Sequence, residues 1–272
     1  MTVQATVAAP AKVEFQQRSK LGWVWADSVS MTWRNLVSYM RNPEGLFFSS
    51  VQPIMFVVLF RYVFGGAVNT GPLPYVDFLM PGIFVQTVGF GVIGTAIGLA
   101  EDRHKGAIER FRSLPMAAAA VLAGRTAADT IRNVFVIILL TVVGYAVGFR
   151  IHTNPLAFLG GCLLLLLFGH ALQWGAAILG LGAPDSETAQ LMIFPVLFPF
   201  TFASSAFVPV QSMPGWLQAF AHNQPITAIV DSSRALMVGG PTTEPLLKAL
   251  AWCVGLLVVL VPLAVRKYAR MA

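Results

Sequence analysis

The chain has 272 residues, of which 56% are hydrophobic and 11% charged, with a formal net charge of +6. An average soluble domain carries about 25% charged residues, so the deficit argues against a soluble enzyme and for a membrane protein. The length supplies about six spans of roughly 20 residues plus loops, and leaves no room for a separate catalytic domain. Basic residues lie between apolar runs rather than on one soluble face, so the positive balance reads as a topology signal, not a nucleic-acid footprint.

Residues 1–26 carry Lys12, Arg18 and Lys20 without a following apolar core and cleavage site, which predicts a cytoplasmic tail, mobile to about residue 20. Residues 27–42 place Val29, Trp33, Leu36, Val37 and Met40 at helical spacing, with Arg34, Asn35, Ser38 and Arg41 elsewhere on the wheel. This is the pattern of an interfacial helix, capped by Asp27 or Ser28 and ended by Asn42-Pro43. A first span follows at 46–64, interrupted by Gln52, Pro53 and Arg61 and closed by Gly65-Gly66. The second, 78–100, contains Gly82, Gly89, Gly91, Gly94 and Gly98.

Residues 101–112 then hold seven Asp, Glu, Lys or Arg, a density found nowhere else in the chain. Ile108, Phe111 and Leu114 recur every three residues beside Glu101, Asp102, Glu109, Arg110 and Arg112. The run fits either a solvated loop with local salt bridges or a short amphipathic helix that docks on a partner. Residues 116–124 are small and can extend the next helix.

Further spans are expected at 131–149, 156–181, 189–207 and 246–265, the fifth bent or broken by Pro195 and Pro199. Between the last two, 208–241 reads as a turn into a short helix at Met213-Pro214-Gly215, a break at Asn223-Gln224-Pro225, and a second short helix stopped by Gly239-Gly240-Pro241. Two such helices fit as re-entrant elements in the outer leaflet, because backbone at membrane depth needs shelter by protein. With both termini inside, 14 of the 18 Lys and Arg fall on cytoplasmic parts, leaving Arg61, Arg150, Arg234 and Lys248 outside. The positive-inside rule therefore predicts an all-α polytopic membrane protein with six transmembrane helices.

Motifs for nucleotide hydrolysis, zinc proteolysis and the serine-hydrolase elbow are absent, so no catalytic residue and no metal site is assigned, and an ATP-driven function needs another polypeptide. Gly89-Phe90-Gly91-Val92-Ile93-Gly94 matches a dinucleotide fingerprint but lies in an apolar span with no preceding strand. Those glycines, with Gly94 and Gly98 four apart and Gly144 and Gly148 likewise, read instead as helix-packing positions. Cys162 and Cys253 sit in separate apolar runs and read as packing residues. Gln86, His170 and Gln173 are polar residues within spans, and Phe194, Phe198 and Phe202 line one face of the fifth. They are candidates either for interhelical hydrogen bonding and packing or for a substrate path.

Several segments resemble the daunorubicin-resistance-type permeases of the ABC-2 exporter family. They are Met31-Thr32-Trp33-Arg34-Asn35-Leu36 with Asn42-Pro43-Glu44, Gln52-Pro53-Ile54, Tyr62-Val63-Phe64-Gly65-Gly66-Ala67 and Met80-Pro81-Gly82-Ile83. Glu109 through Met116, Gly124-Arg125 with Asp129, Asn223 through Thr227, and Arg234-Ala235-Leu236 continue the match in order. The resemblance implies a permease that dimerises with a second copy or a related permease. It also implies two separate ATP-binding subunits, which carry the ATP and magnesium, with no cofactor on this chain. By this resemblance 101–115 is a coupling helix seated on the ATP-binding subunit through Glu101, Asp102, Arg103, Glu109, Arg110, Phe111 and Arg112. The interfacial helix, with Trp33, Arg34 and Leu36, abuts it. The paired helices of 208–241, with Trp216, Asn223, Gln224 and Pro225, form an outer gate.

The expected function is therefore export of an amphiphilic drug or antibiotic-like molecule across the bacterial cytoplasmic membrane. Export of a lipid or glycan is the alternative within the class, marked by a lateral aromatic opening. A polytopic membrane enzyme would need acids or histidines clustered at one membrane face, and a passive scaffold would have no use for intramembrane polar residues.

Overall fold

Eleven α-helices make up most of the computed structural model, which describes residues 20–41, 43–68, 70–113 and 118–271, and among these there is no strand. The first nineteen residues of the expected tail, Asn42, and residues 114–117 of the charged segment lie outside the described residues, as do the side chains of Glu109 and Arg112.

Helix α1 (Lys20–Arg41) begins seven residues before the expected cap. Ser28 does not cap it, because its hydroxyl donates to the Val24 carbonyl one turn back, as a mid-helix serine does. Helix α2 (Pro43–Leu59) restarts on a proline, whose fixed φ suits a first helical position, and runs on through a π-helical turn (Phe60–Phe64). The second apolar run forms α3 (Tyr75–Gly91) and α4 (Ile93–His104), broken at Val92. The charged run is not one helix: Glu101 to His104 complete α4, the chain turns at Lys105-Gly106 where Gly106 takes φ +67°, and α5 (Ala107–Ser113) follows.

The small-residue segment does extend the next helix, α6 (Ala118–Ala146), which precedes α7 (Pro155–Gly182). Helix α8 (Ser186–Phe202) runs through both Pro195 and Pro199 and stops five residues short of the expected end. A 3-10 turn (Val210–Ser212), α9 (Gly215–Asn223) and α10 (Pro225–Met237) occupy the region before α11 (Thr243–Arg270). Among the described residues, four helical segments are long and apolar enough to cross a membrane: Tyr75–His104, Ala119–Ala146, Pro155–Gly182 and Thr243–Arg270. Ser50–Phe64 is a shorter apolar helix.

The two short helices before α11 differ. Helix α9 is largely exposed, whereas α10 buries Ile226, Ile229, Val230 and Met237 in the main core with Leu79, Ile83 and Phe84 of α3 and Leu165 and Phe168 of α7. In lipid, association relies on close van der Waals contact, which small residues permit. Gly180 of α7 lies against the Ala96 carbonyl of α4, where a Cβ would sit 2.5 Å from the oxygen. A Cβ on Gly124 of α6 would overlap Met31 of α1, and one on Gly82 of α3 would overlap the Ala206 carbonyl. A second core, Met31, Leu99, Ile108, Leu122, Trp174, Leu181 and Tyr268, joins α1, α4, α5, α6, α7 and α11 at one end of the bundle.

At the opposite end, polar side chains tie the irregular segments down. Buried Asp77 accepts from the Arg150 backbone N–H at 2.9 Å and lies 2.9 Å from His152 Nε2. Arg234 donates to the Phe78 and Ser205 carbonyls at 3.1 and 2.7 Å, pairs with Asp231 at 3.0 Å, and covers the Phe78 ring at 3.9 Å. Gln224 joins the break between α9 and α10 to the end of α8, donating to Phe200 O at 2.9 Å while its carbonyl caps Ile226 N–H at 3.0 Å.

Gly82→Ala should lower the thermal midpoint in detergent, since the Ala206 backbone must move and overpacking costs about 1–3 kcal/mol. Gly89, whose added Cβ meets nothing within 4 Å, is the matched control: Gly89→Ala should leave the midpoint unchanged or raise it. Equal losses from both would refute the close-approach account.

Candidate functional site

A cleft of about 1090 Å³ is bordered by α1, α2, α3, α4, α6 and α8. Its polar wall includes Arg34, Tyr39, Glu101, Asp102, Arg125 and Arg132, and its apolar wall includes Pro53, Phe56, Phe90, Ile97, Val136 and Phe194.

Arg125, Asp129 and Arg132 fall at i, i+4 and i+7 of α6 and so share one face. Asp129 is fully buried and collects bonds from three helices. The Tyr39 hydroxyl of α1 donates to its Oδ1, Thr95 of α4 donates to Oδ2 at 2.6 Å, and Arg125 Nε lies 3.5 Å from the same oxygen. Burial first, and the negative Asp129 second, push the Tyr39 phenol far above its ordinary value, so it remains a donor. Both guanidinium groups stand 5.8 Å from the Tyr39 ring centroid.

Three glycines of the second apolar run, Gly91, Gly94 and Gly98, are explained by these arginines. Arg132 Nη2 donates to Gly91 O at 2.7 Å and Arg125 Nη2 to Gly94 O at 2.8 Å. A Cβ on Gly91 or Gly94 would sit 2.9 Å from Arg132, and one on Gly98 would overlap Arg125. The expected helix-to-helix contact at Gly94 and Gly98 is therefore a seat for two cations, because a bare backbone lets a guanidinium reach a carbonyl. Gly144 does meet a neighbour, Met80, whereas Gly148 is a turn residue at φ +104°.

The predicted coupling residues divide. Asp102 accepts from Arg34 at 2.7 Å, which ties the last turn of α4 to α1, and Arg34 also stacks over Phe111 at 4.7 Å. Arg103 donates to Leu181 O and Ala183 O at 3.2 and 3.1 Å, capping α7 together with Lys267, which reaches Ile178 O at 2.8 Å. Glu101 pairs with Lys105 at 3.1 Å, and Arg110 is exposed. Ile108 is buried and Phe111 packs beside it in the second core. Ile108 and, in part, Phe111 of the apolar side of α5 thus face their own protein, while Leu114 lies outside the described residues. On α1, Trp33 is exposed, as are Trp25, Val29 and Met40.

Of the intramembrane polar candidates, Gln86 lines the cleft. His170 and Gln173 lie between α6 and α7 and are not part of its lining. The indole N–H of Trp174 can only donate, so His170 Nε2 accepts at 3.2 Å and its Nδ1–H faces Thr130 Oγ1 at 3.1 Å. Phe198 stacks between Phe194 and Phe202, with centroids 5.3 and 4.4 Å away. In the expected gate region, Trp216 is exposed, Asn223 bonds back to Ala219 O at 2.8 Å, Gln224 is the buried anchor described above, and Pro225 opens α10. Tyr39 and Thr95 escaped sequence reasoning altogether; the one available signal was the shared helical face of Arg125, Asp129 and Arg132.

Asp129→Ala should destabilise the fold by about 3–5 kcal/mol, because it strands a buried cation. Removing the partly buried partner of Arg34 by Asp102→Ala should cost less, about 1 kcal/mol, because Arg34 stays open to solvent. Detergent denaturation of the two variants checks the ranking, and an equal loss would contradict the Asp129-centred network.

A model described as ABC-2 type transporter matches residues 28–238. The chain is 34% identical over 247 residues to the daunorubicin resistance ABC transporter permease protein DrrB1 of Streptomyces coeruleorubidus, covering 89% of this chain and 87% of that protein. It is 28% identical over 276 residues to a probable doxorubicin resistance ABC transporter permease protein, DrrC, of Mycobacterium tuberculosis, covering 97% and 96%. A putative transport permease, ycf38, of Pyropia yezoensis is 25% identical over 240 residues, covering 84% and 80%. Together with the long apolar helices, the extent of these matches makes this a multi-pass membrane permease, and the chain belongs to the ABC-2 type transporter family.

Proposed function

We propose that this chain is the transport subunit of an ATP-driven exporter that moves an amphiphilic, aromatic drug-like molecule outward across the bacterial cytoplasmic membrane. The observation that carries the reading is a continuous run of aromatic rings leaving the cleft. Phe90 meets Phe194 with centroids 5.9 Å apart, and Phe198 and Phe202 continue it along α8. Phe202 stacks on Phe207 at 5.1 Å, and Phe207 on Phe60 of the π turn at 4.7 Å. Such a ladder lies alongside most of one helix and offers successive stacking partners to a flat ring system. The names of the relatives, which mention daunorubicin and doxorubicin resistance, agree with that substrate chemistry.

In this reading α2 with the π turn, α3 with α4, α6, α7, α8 and α11 are the six spans, with both termini cytoplasmic. ATP is hydrolysed on two separate subunits, and a second permease copy, or a related permease, completes the pathway. Because α5 turns its apolar side inward, the ATP-binding subunit meets its polar side, and movement of α4 reaches α1 through the Arg34 and Asp102 pair. A lipid or glycan cargo would use the same α8 face, but the ring-to-ring stacking favours a planar aromatic one.

Inverted membrane vesicles containing the permease and its ATP-binding subunit test the proposal. They should accumulate doxorubicin only with ATP, and Phe198→Ala should slow uptake about threefold to tenfold if one ring contact is lost along the path. Combined charge reversal, Glu109→Lys with Arg110→Glu, should leave ATP hydrolysis running while uptake stops. Uptake that is unaffected by both changes would sink the assignment.

A further inference from the structure

The cleft contains a cation that no described carboxylate pairs with. Three of its cations have carboxylate partners: Arg34 with Asp102, Lys105 with Glu101, and Arg125 with Asp129. Arg132 has none among the described residues. Its bonds go to neutral oxygens only, Gly91 O at 2.7 Å and Asn133 Oδ1 at 3.5 Å, and its Nε is buried without a partner. Arg41, a further cation of the lining, also lacks an ion pair among the described residues.

Arg132 is also placed at a boundary. It is the last charged residue of α6 before the uncharged stretch 133–149, so its guanidinium sits where the helix passes from polar to apolar sequence. Across the cleft, Phe56, Phe90 and Phe194 supply the apolar wall. An unpaired arginine at this depth is costly unless an anion accompanies it. A basic pocket between helices beside an apolar wall is the chemistry that holds an acidic lipid headgroup. Arginine suits a phosphate in particular, since its fork presents parallel donors to two oxygens.

We propose that this cleft binds an anionic phospholipid of the surrounding bilayer, its phosphate seated at Arg132 beside Arg41 and its acyl chains lying along the aromatic wall. The site requires only that the protein lie in a membrane, although its wall shares Phe90 and Phe194 with the proposed drug path. Asp129 limits its position: with Tyr39, Thr95 and Arg125 all directed at that carboxylate, Arg125 is already compensated, and Arg132 is the cation left for the lipid.

The test is lipid retention by the full-length permease without ATP or drug, so its failure does not depend on the export reading. Native mass spectrometry of protein taken from vesicles of equal phosphatidylglycerol and phosphatidylcholine should show one phosphatidylglycerol retained at least about tenfold over phosphatidylcholine, the factor that loss of one charge-assisted contact would remove. Arg132→Gln should abolish the preference, Arg132→Lys should restore part of it, and Arg150→Gln, at the other end of the bundle, should leave it intact. Elution and helical content identify any variant that has failed to fold, and Arg41→Gln tests the same seat should Arg132→Gln not fold: it should weaken the preference, and an unchanged preference would overturn the site. Equal retention of the two lipids, a preference that survives Arg132→Gln in folded protein, or thermal stabilisation by inorganic phosphate equal to that by phosphatidylglycerol would each overturn the proposal.

Discussion

One buried carboxylate holds the polar half of this molecule together. Asp129 has no exposed surface, yet it draws a phenol from α1, a hydroxyl from α4 and a guanidinium from its own helix. A charge removed from water must be compensated by short, directed bonds. Satisfying Asp129 therefore fixes where α1 crosses α6 and how closely α4 approaches both. Gly124 completes the arrangement by removing the side chain that would hold α1 away.

A second device recurs at three of the helix ends and breaks. The break at Val92 leaves the Gly91 carbonyl to Arg132, the end of α7 leaves carbonyls to Arg103 and Lys267, and the segment after α8 is held by Arg234 and Gln224. Carbonyls at such points have no water to bond in an apolar surrounding, and long cationic side chains bring donors to them from neighbouring helices. In this way few charged residues perform structural tasks that water performs in soluble proteins.

Much of the architecture was legible in the sequence because spans are set by local composition. Pro43 opens a new helix, and Asn223-Gln224-Pro225 and Gly239-Gly240 mark real breaks, since proline and glycine act on the backbone wherever they occur. The extension of α6 through small residues followed from helix propensity. Errors came where a local signal had a distant partner. Gly94 and Gly98 resemble a helix-packing pair, but the atoms opposite them are guanidinium nitrogens from α6. Ile108 and Phe111 resemble a face for a partner, but a neighbouring core already covers them. Ser28 resembles a cap, but the helix had begun earlier.

Composition and charge placement alone settled that this is a helical membrane protein with a polar segment after its second apolar run, because hydropathy and helix breaking depend only on nearby residues. The polar network was different in kind. That Tyr39 and Thr95 meet at Asp129, and that His170 belongs to a hydrogen-bonded seam rather than the cleft, depend on residues about 35 to 90 positions apart. Only tertiary structure decides such pairings, since the energy of a buried charge is set by what folding places within a few ångströms of it.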